Sequence, residues 1–141
     1  MLELRYNSND LIDPENASKT REVEFILKAE SIILQMLEGS EFNVPELCKE
    51  LGMSQSALYR KIKSLTGVSI QIFIRKIRVK RAAQLLLSED MTVSEIAFAL
   101  DFADLKYFRK CFKGQFGMTP SEYKAAHSGK SDDIKIEIDS I

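Results

Sequence analysis

The sequence predicts an all-α protein of about seven helices, with two helix-turn-helix units joined by a long linker helix. Three observations carry this reading. Apolar residues recur at helical spacing through most of the chain. Asn43 with Glu46, Thr92 with Glu95 and Thr119 with Glu122 each have the form of a capping box, in which an N-cap side chain and a Glu three residues on satisfy each other's backbone N–H. Finally, a short helix, a tight turn and a second amphipathic helix occur twice, about fifty residues apart.

Taken in order, residues 1–18 are polar, with turn signals and no period, and read as a linker or lead-in. A helix is expected from about Thr20 to Glu38, where Val23, Ile26, Leu27, Ala29, Ile33, Leu34 and Leu37 form an apolar stripe and Gly39 supplies the stop. Unit one spans 43–67: Pro45 suits a first helical turn, Leu47, Cys48 and Leu51 point inward, and Gly52 permits the left-handed residue that a tight turn requires. Ser54 caps the second helix, in which Leu58 and Ile62 form the inner side, and Gly67 closes the unit. The linker helix, 70–87, carries Ile70, Phe73, Ile74 and Ile77 on one apolar face, which Ala82, Leu85 and Leu86 are expected to continue.

Unit two, 92–117, repeats the first. Val44, Glu46, Leu47, Leu51 and Met53 match Val93, Glu95, Ile96, Leu100 and Phe102 at an offset of 49, while Leu58, Ile62, Lys63 and Gly67 match Phe108, Phe112, Lys113 and Gly117 at an offset of 50. The second turn is therefore one residue longer. Asp104 caps its second helix, and Asp101 stands where unit one has Gly52, so a left-handed Asp is expected there. A closing helix, 120–127, starts at Pro120 and contains Tyr123. Residues 128–141 are polar and acidic and read as disordered, although the alternation of Ile134, Ile136 and Ile138 also fits a strand.

The second helix of each unit has an outward face of long, hydrogen-bonding side chains: Ser56, Tyr59, Arg60 and Lys63 in the first, Lys106, Arg109, Lys110 and Lys113 in the second. A repeated face suggests a repeated ligand. The net charge of −1 hides strong clustering, because residues 51–88 hold eight Lys/Arg and no acid, 89–104 five acids and no base, and 105–129 five bases against one acid. Local positive potential of this kind is the footprint of phosphate binding, so these eight residues are the candidate contacts to double-stranded DNA. Arg60 and Arg109 offer forked donors suited to guanine, whereas the lysines suit phosphates. Arg75, Lys76, Arg78 and Lys80 could track phosphates or be paired internally. The competing reading is a helical interaction module whose basic faces dock an acidic protein partner such as RNA polymerase, but such a partner would not require the repeat.

An enzyme is not expected. The single histidine, His127, lies beyond the last core position and reads as a solvated residue, and no phosphate-binding glycine loop occurs. Cys48 and Cys111 lack zinc-site spacing and read as reduced core residues, so neither a metal nor a cofactor is expected. With no 18-residue apolar run and no signal-peptide core, a cytoplasmic protein without membrane contact is expected.

These residues resemble the DNA-binding domain of the AraC/XylS family of bacterial transcription regulators, over about residues 24–125. The densest part of the resemblance is Ile96, Ala97, Phe102, Tyr107, Phe108, Phe112, Lys113, Gly117, Thr119, Pro120 and Tyr123. Leu47, Leu51, Gly52, Ser54, Leu58, Arg60, Lys63 and Gly67 add to it from unit one, and Arg78, Ala82, Leu85 and Leu86 from the linker helix. The resemblance implies seven helices and two units that each insert their second helix into a major groove, with the domain bounds 19–127. The lead helix and the stretch from Leu58 to Lys63 are also similar to output domains of hybrid two-component regulators. That similarity implies a covalently attached receiver or sensor.

Overall fold

The computed structural model describes residues 14–39, 42–88 and 90–128, and every regular element among them is a helix: α1 (Pro14–Glu38), α2 (Val44–Leu51), α3 (Gln55–Thr66), α4 (Ile70–Ser88), α5 (Val93–Ala99), α6 (Leu105–Phe116) and α7 (Pro120–Ser128). The all-α reading with seven helices is thus what these residues show. The expected tail beyond Ser128 lies outside the described residues. One boundary moves: α1 starts at Pro14, ahead of the expected Thr20, so residues 14–18 are helix and not linker. The Asp-Pro-Glu run that reads as a turn serves equally as a helix start, because proline at N1 loses no hydrogen bond and its φ is already helical.

Side-chain caps set the starts of the later helices. Asn43 Oδ1 accepts from the Glu46 N–H at 2.7 Å. Both halves of the box form at Thr92 and Glu95, at 2.9 and 3.1 Å, and at Thr119 and Glu122, at the same two distances. These bonds satisfy donors that the first helical turn leaves without partners.

The chain divides into two compact units, the first ending at Phe73 and the second beginning at Ile74, within α4. In the first, α1 packs on α2 and α3. Ala29, Ile33 and Leu37, spaced by four, form the buried stripe of α1 and share the core with Leu47, Cys48, Leu58, Ile62 and Ile70. The Lys61 ammonium sits 4.2 Å above the Phe25 ring centroid, where the stem shields the core and the charge meets the π face.

In the second unit α6 packs on α5 and α7. Its core gathers Val79, Ala82, Ala83 and Leu86 of α4 with Ile96, Ala97, Leu100, Phe108 and Phe112. Where the first unit is aliphatic, this one is built on rings. Phe112 lies 5.9 Å from Phe108, 4.8 Å from Phe116 and 5.5 Å from Tyr123, centroid to centroid, and Phe102 stands edge-on to Phe108 at 4.8 Å. Such pairs add about 0.5–1.5 kcal/mol each beyond their buried area. Among the described residues no polar or charged residue is fully buried.

α4 departs from the expected single stripe. Its buried residues are Ile70, Ile74 and Ile77 in the first half and Val79, Ala82, Ala83 and Leu86 in the second. At about 100° per residue these two sets point to opposite sides of the helix. Ala82 and Leu86 therefore do not continue the face of Ile70 and Ile74.

The turns confirm the repeat and locate its irregularity. Gly52 is left-handed, with φ 66° and ψ 36°, its N–H bonding Lys49 O and that of Met53 bonding Cys48 O. Asp101 is left-handed too, with φ 63°, and bonds Phe98 O while Phe102 N–H bonds Ala97 O, the same pattern at an offset of 49. The offset is 50 at the caps Ser54 and Asp104, so the extra residue is Ala103. The register then persists into the next helix: Phe73 N–H bonds Ser69 O, and Tyr123 N–H bonds Thr119 O. Asp101 has a second role that spacing could not reveal. Burial pushes the half-buried Arg78 guanidinium below its ordinary pKa, and the Asp101 carboxylate opposes that shift.

Substitutions test this packing. Phe112→Ala should cost about 3–5 kcal/mol in denaturant unfolding, the range for removing a sealed aromatic ring. Asp101→Asn, which keeps tolerance of the left-handed backbone but removes the charge facing Arg78, should lower the melting temperature by an amount that shrinks with added salt. Asp101→Gly loses the same charge but gains about 0.5–1 kcal/mol of backbone relief, so it should melt above Asp101→Asn.

Candidate nucleic-acid interface

The two outward helices are built alike from end to end. Each is 12 residues long. α3 starts where Ser54 Oγ accepts from the Ala57 N–H at 3.2 Å; α6 starts where Asp104 Oδ1 accepts from the Tyr107 N–H at 2.7 Å. Both end on a left-handed glycine, Gly67 at φ 81° and Gly117 at φ 79°, whose N–H bonds Lys63 O at 2.9 Å and Lys113 O at 2.8 Å respectively. Between these ends a pair spaced by four is sealed from solvent, Leu58 with Ile62 and Phe108 with Phe112, all at 0% exposure. Burying that pair leaves the opposite side of each helix outward. Ser56, Arg60, Lys63, Lys106, Arg109, Lys110 and Lys113 are accordingly exposed, and Tyr59 is half-buried.

Within each face the groups differ in how free they are. The Tyr59 hydroxyl accepts from Gln55 Nε2 at 3.0 Å, which holds the phenol at the N-terminal end of the helix. Gln55 was not among the sequence-derived candidates, although it stands four residues before Tyr59. Ser56 Oγ lies 3.5 Å from the capping Ser54 Oγ. The Lys63 ammonium donates to Gly67 O at 3.1 Å, so this lysine closes its own helix as well as facing outward. Lys113 has an acid near it: the backbone N–H of Thr119, then its hydroxyl, hold the Glu122 carboxyl below the usual glutamate range, and the charge of Lys113 adds to the effect.

Two other basic residues are engaged within their own unit, as the sequence allows for Arg78. Arg78 faces Asp101 and belongs to the interior of its unit, and Arg81 Nη1 donates to Gln84 Oε1 at 3.1 Å. Cys48 is buried, and Cys111 is half-buried and packs at the rim of the core, because its position lies between the inner and outer faces of α6. His127 is not a solvated surface residue. Its Nδ1 donates to Tyr123 O at 2.7 Å and its ring lies 4.2 Å from that of Tyr123, so the aromatic cluster extends by one turn. Among the described residues no group of His, Cys, Asp and Glu could hold a metal ion, and no helix is long and apolar enough to cross a membrane.

Residues 47–126 match the protein family described as "Helix-turn-helix domain". Histidine kinase P4 of Formosa agariphila is 34% identical over 122 residues, covering 86% of this chain and 9% of that protein. Of the curated relatives that it resembles, the chain spans 9%, 33% or 42% of the length. Among solved structures, the DNA-binding domain of AdpA in complex with a target DNA is 30% identical, with a TM-score of 0.56 and coverage of 70% of this chain and 91% of that one. The C-terminal domain of AraT, a response regulator from Geobacillus stearothermophilus, is 29% identical, with a TM-score of 0.59 and coverage of 73% and 85%.

The caps that present the two faces can be tested directly. Ser54→Ala and Asp104→Ala should each cost about 0.5–2 kcal/mol in denaturant unfolding, the usual loss when an N-cap acceptor is removed. The Asp104 variant should lose more, because it also removes a negative charge from the positive end of the helix.

Proposed function

From a chain that belongs to the AraC-type family of helix-turn-helix transcription regulators, we infer that this one reads a specific sequence of double-stranded DNA with α3 and α6. The observation that carries the reading is the repeated face: equal lengths, equal caps, equal sealed pairs, and Ser56, Tyr59, Arg60 and Lys63 recurring at an offset of 50 as Lys106, Arg109, Lys110 and Lys113. A two-unit protein of this kind fits a bipartite site of about 20 base pairs whose halves lie roughly one helical turn apart. The chemistry is binding, not catalysis, and its setting is the cytoplasm.

Transcription is regulated on this reading through RNA polymerase. An attached receiver or sensor domain is a further part of the proposal, supported by the short share of its relatives that the chain spans and by the response-regulator domain among its structural neighbours.

The two faces divide the labour. Ser56, Tyr59 and Arg60 present varied groups able to discriminate base edges, with Gln55 steadying Tyr59, whereas Lys106, Lys110 and Lys113 are point charges suited to phosphates and Arg109 alone among them can fork onto a guanine. Arg60→Ala should cost about 1–3 kcal/mol on the preferred site and relax the choice at one base pair. Lys113→Ala should weaken all sequences alike and reduce the salt slope by about one. Selection from random duplexes, followed by footprinting, measures both. Preferred bases that shift in the Lys113 variant and stay unchanged in the Arg60 variant would reverse the assignment, and selection that enriches no sequence would sink the reading itself.

A further inference from the structure

Beside α6 the second unit has a cavity of about 290 Å³ that Lys110 alone of the eight candidate contacts lines. It is lined by Arg75 and Lys76 of α4 and by Tyr107, Lys110, Cys111, Gly114 and Gln115 of α6. Three cations converge there and no carboxylate does. Arg75 Nη1 lies 3.5 Å from the Tyr107 hydroxyl, and Gln115 Nε2 donates to Lys76 O at 3.1 Å, which ties the wall of α6 to α4. Gly114 leaves its stretch of wall without a side chain, and a Cβ built there would meet nothing within 4 Å. The cleft does not follow from the helix-turn-helix repeat, since the first unit has Ala57 and Leu65 at the positions of Tyr107 and Gln115.

We propose that Arg75, Lys76 and Lys110, gathered around Tyr107, grip one phosphodiester of the bound duplex, a contact in which α4 supplies two cations beside the one on α6. The proposal rests on the DNA-binding reading above. The charged groups are donors without acceptor capacity, so they suit phosphate oxygens and carry no code for base edges. Lys110 belongs to the outward face of α6 and to the cleft wall at once, which makes the cleft continuous with the candidate interface and favours a phosphate belonging to the polymer over a free anion. Further along α4, Arg78 and Arg81 are engaged within their own unit, whereas Arg75 and Lys76 line the cleft.

The test is the salt dependence of affinity for the selected duplex. Arg75→Gln and Lys76→Gln should each reduce the slope of log K against log salt by about one, weaken binding about fivefold and leave the selected bases unchanged, while Arg75→Lys should keep the slope. On duplexes carrying a single uncharged methylphosphonate linkage, one linkage should weaken the wild-type protein and leave the Arg75→Gln, Lys76→Gln double variant indifferent. If both single variants keep the full slope while the wild type binds with salt dependence, the cleft contacts no phosphate and the proposal is overturned, although DNA binding stands. Inorganic phosphate that binds the free protein at the cleft, with no sensitive linkage in the duplex, would make it a small-anion site and overturn the proposal as well. A wild type that binds no duplex at any salt would remove the DNA-binding reading and the clamp together.

Discussion

A pair of side chains four residues apart, shut completely from solvent, decides how each outward helix is rolled about its axis. Leu58 and Ile62 do this in α3, Phe108 and Phe112 in α6. Because the helix repeats every 3.6 residues, fixing one side fixes the other, so Arg60 and Lys110 face outward for the same reason that Ile62 and Phe112 face inward. Caps and C-terminal glycines then set where the helix starts and stops. The presentation of the polar groups is thus a consequence of apolar burial. Only their identities are left open.

Within that shared frame the two units solve their problems with different chemistry. The first closes its core with aliphatic side chains and its turn with Gly52, which takes the left-handed conformation at no steric cost. The second uses a run of rings from Phe102 to His127 and places an acid in the left-handed position. Asp101 is strained there, yet it supplies the charge that a half-buried Arg78 needs.

Much of this was legible from residue order, because the signals involved are local. The N-caps at Asn43, Ser54, Thr92 and Asp104, the glycine stops and the buried i, i+4 pairs all act within a few residues of their own position. The outward placement of the eight candidate residues follows from the same periodicity. What escaped depends on how side chains and elements pack. The change of buried side within α4 is invisible to a single-stripe reading, since each half looks apolar by itself. Lys63 binding Gly67 O, His127 lying on Tyr123 and Cys111 opening into a cleft depend on where a side chain finds space. The acid facing Arg78 comes from a turn 23 residues further along the chain. The early start of α1 is ambiguous for another reason: proline followed by glutamate marks both a turn and a helix beginning.

Ala103, the one residue by which the second turn exceeds the first, bears on the history of the chain. If the units arose by duplication, this is where an inserted codon left the hydrogen bonds on either side in register. The outward residues stand apart from the sealed pairs that hold the helices, so each copy could change most of its outward letters while keeping its fold. Selection could then act on the two faces separately. Ser56, Tyr59 and Arg60 against Lys106, Arg109 and Lys110 is the divergence that such independence permits.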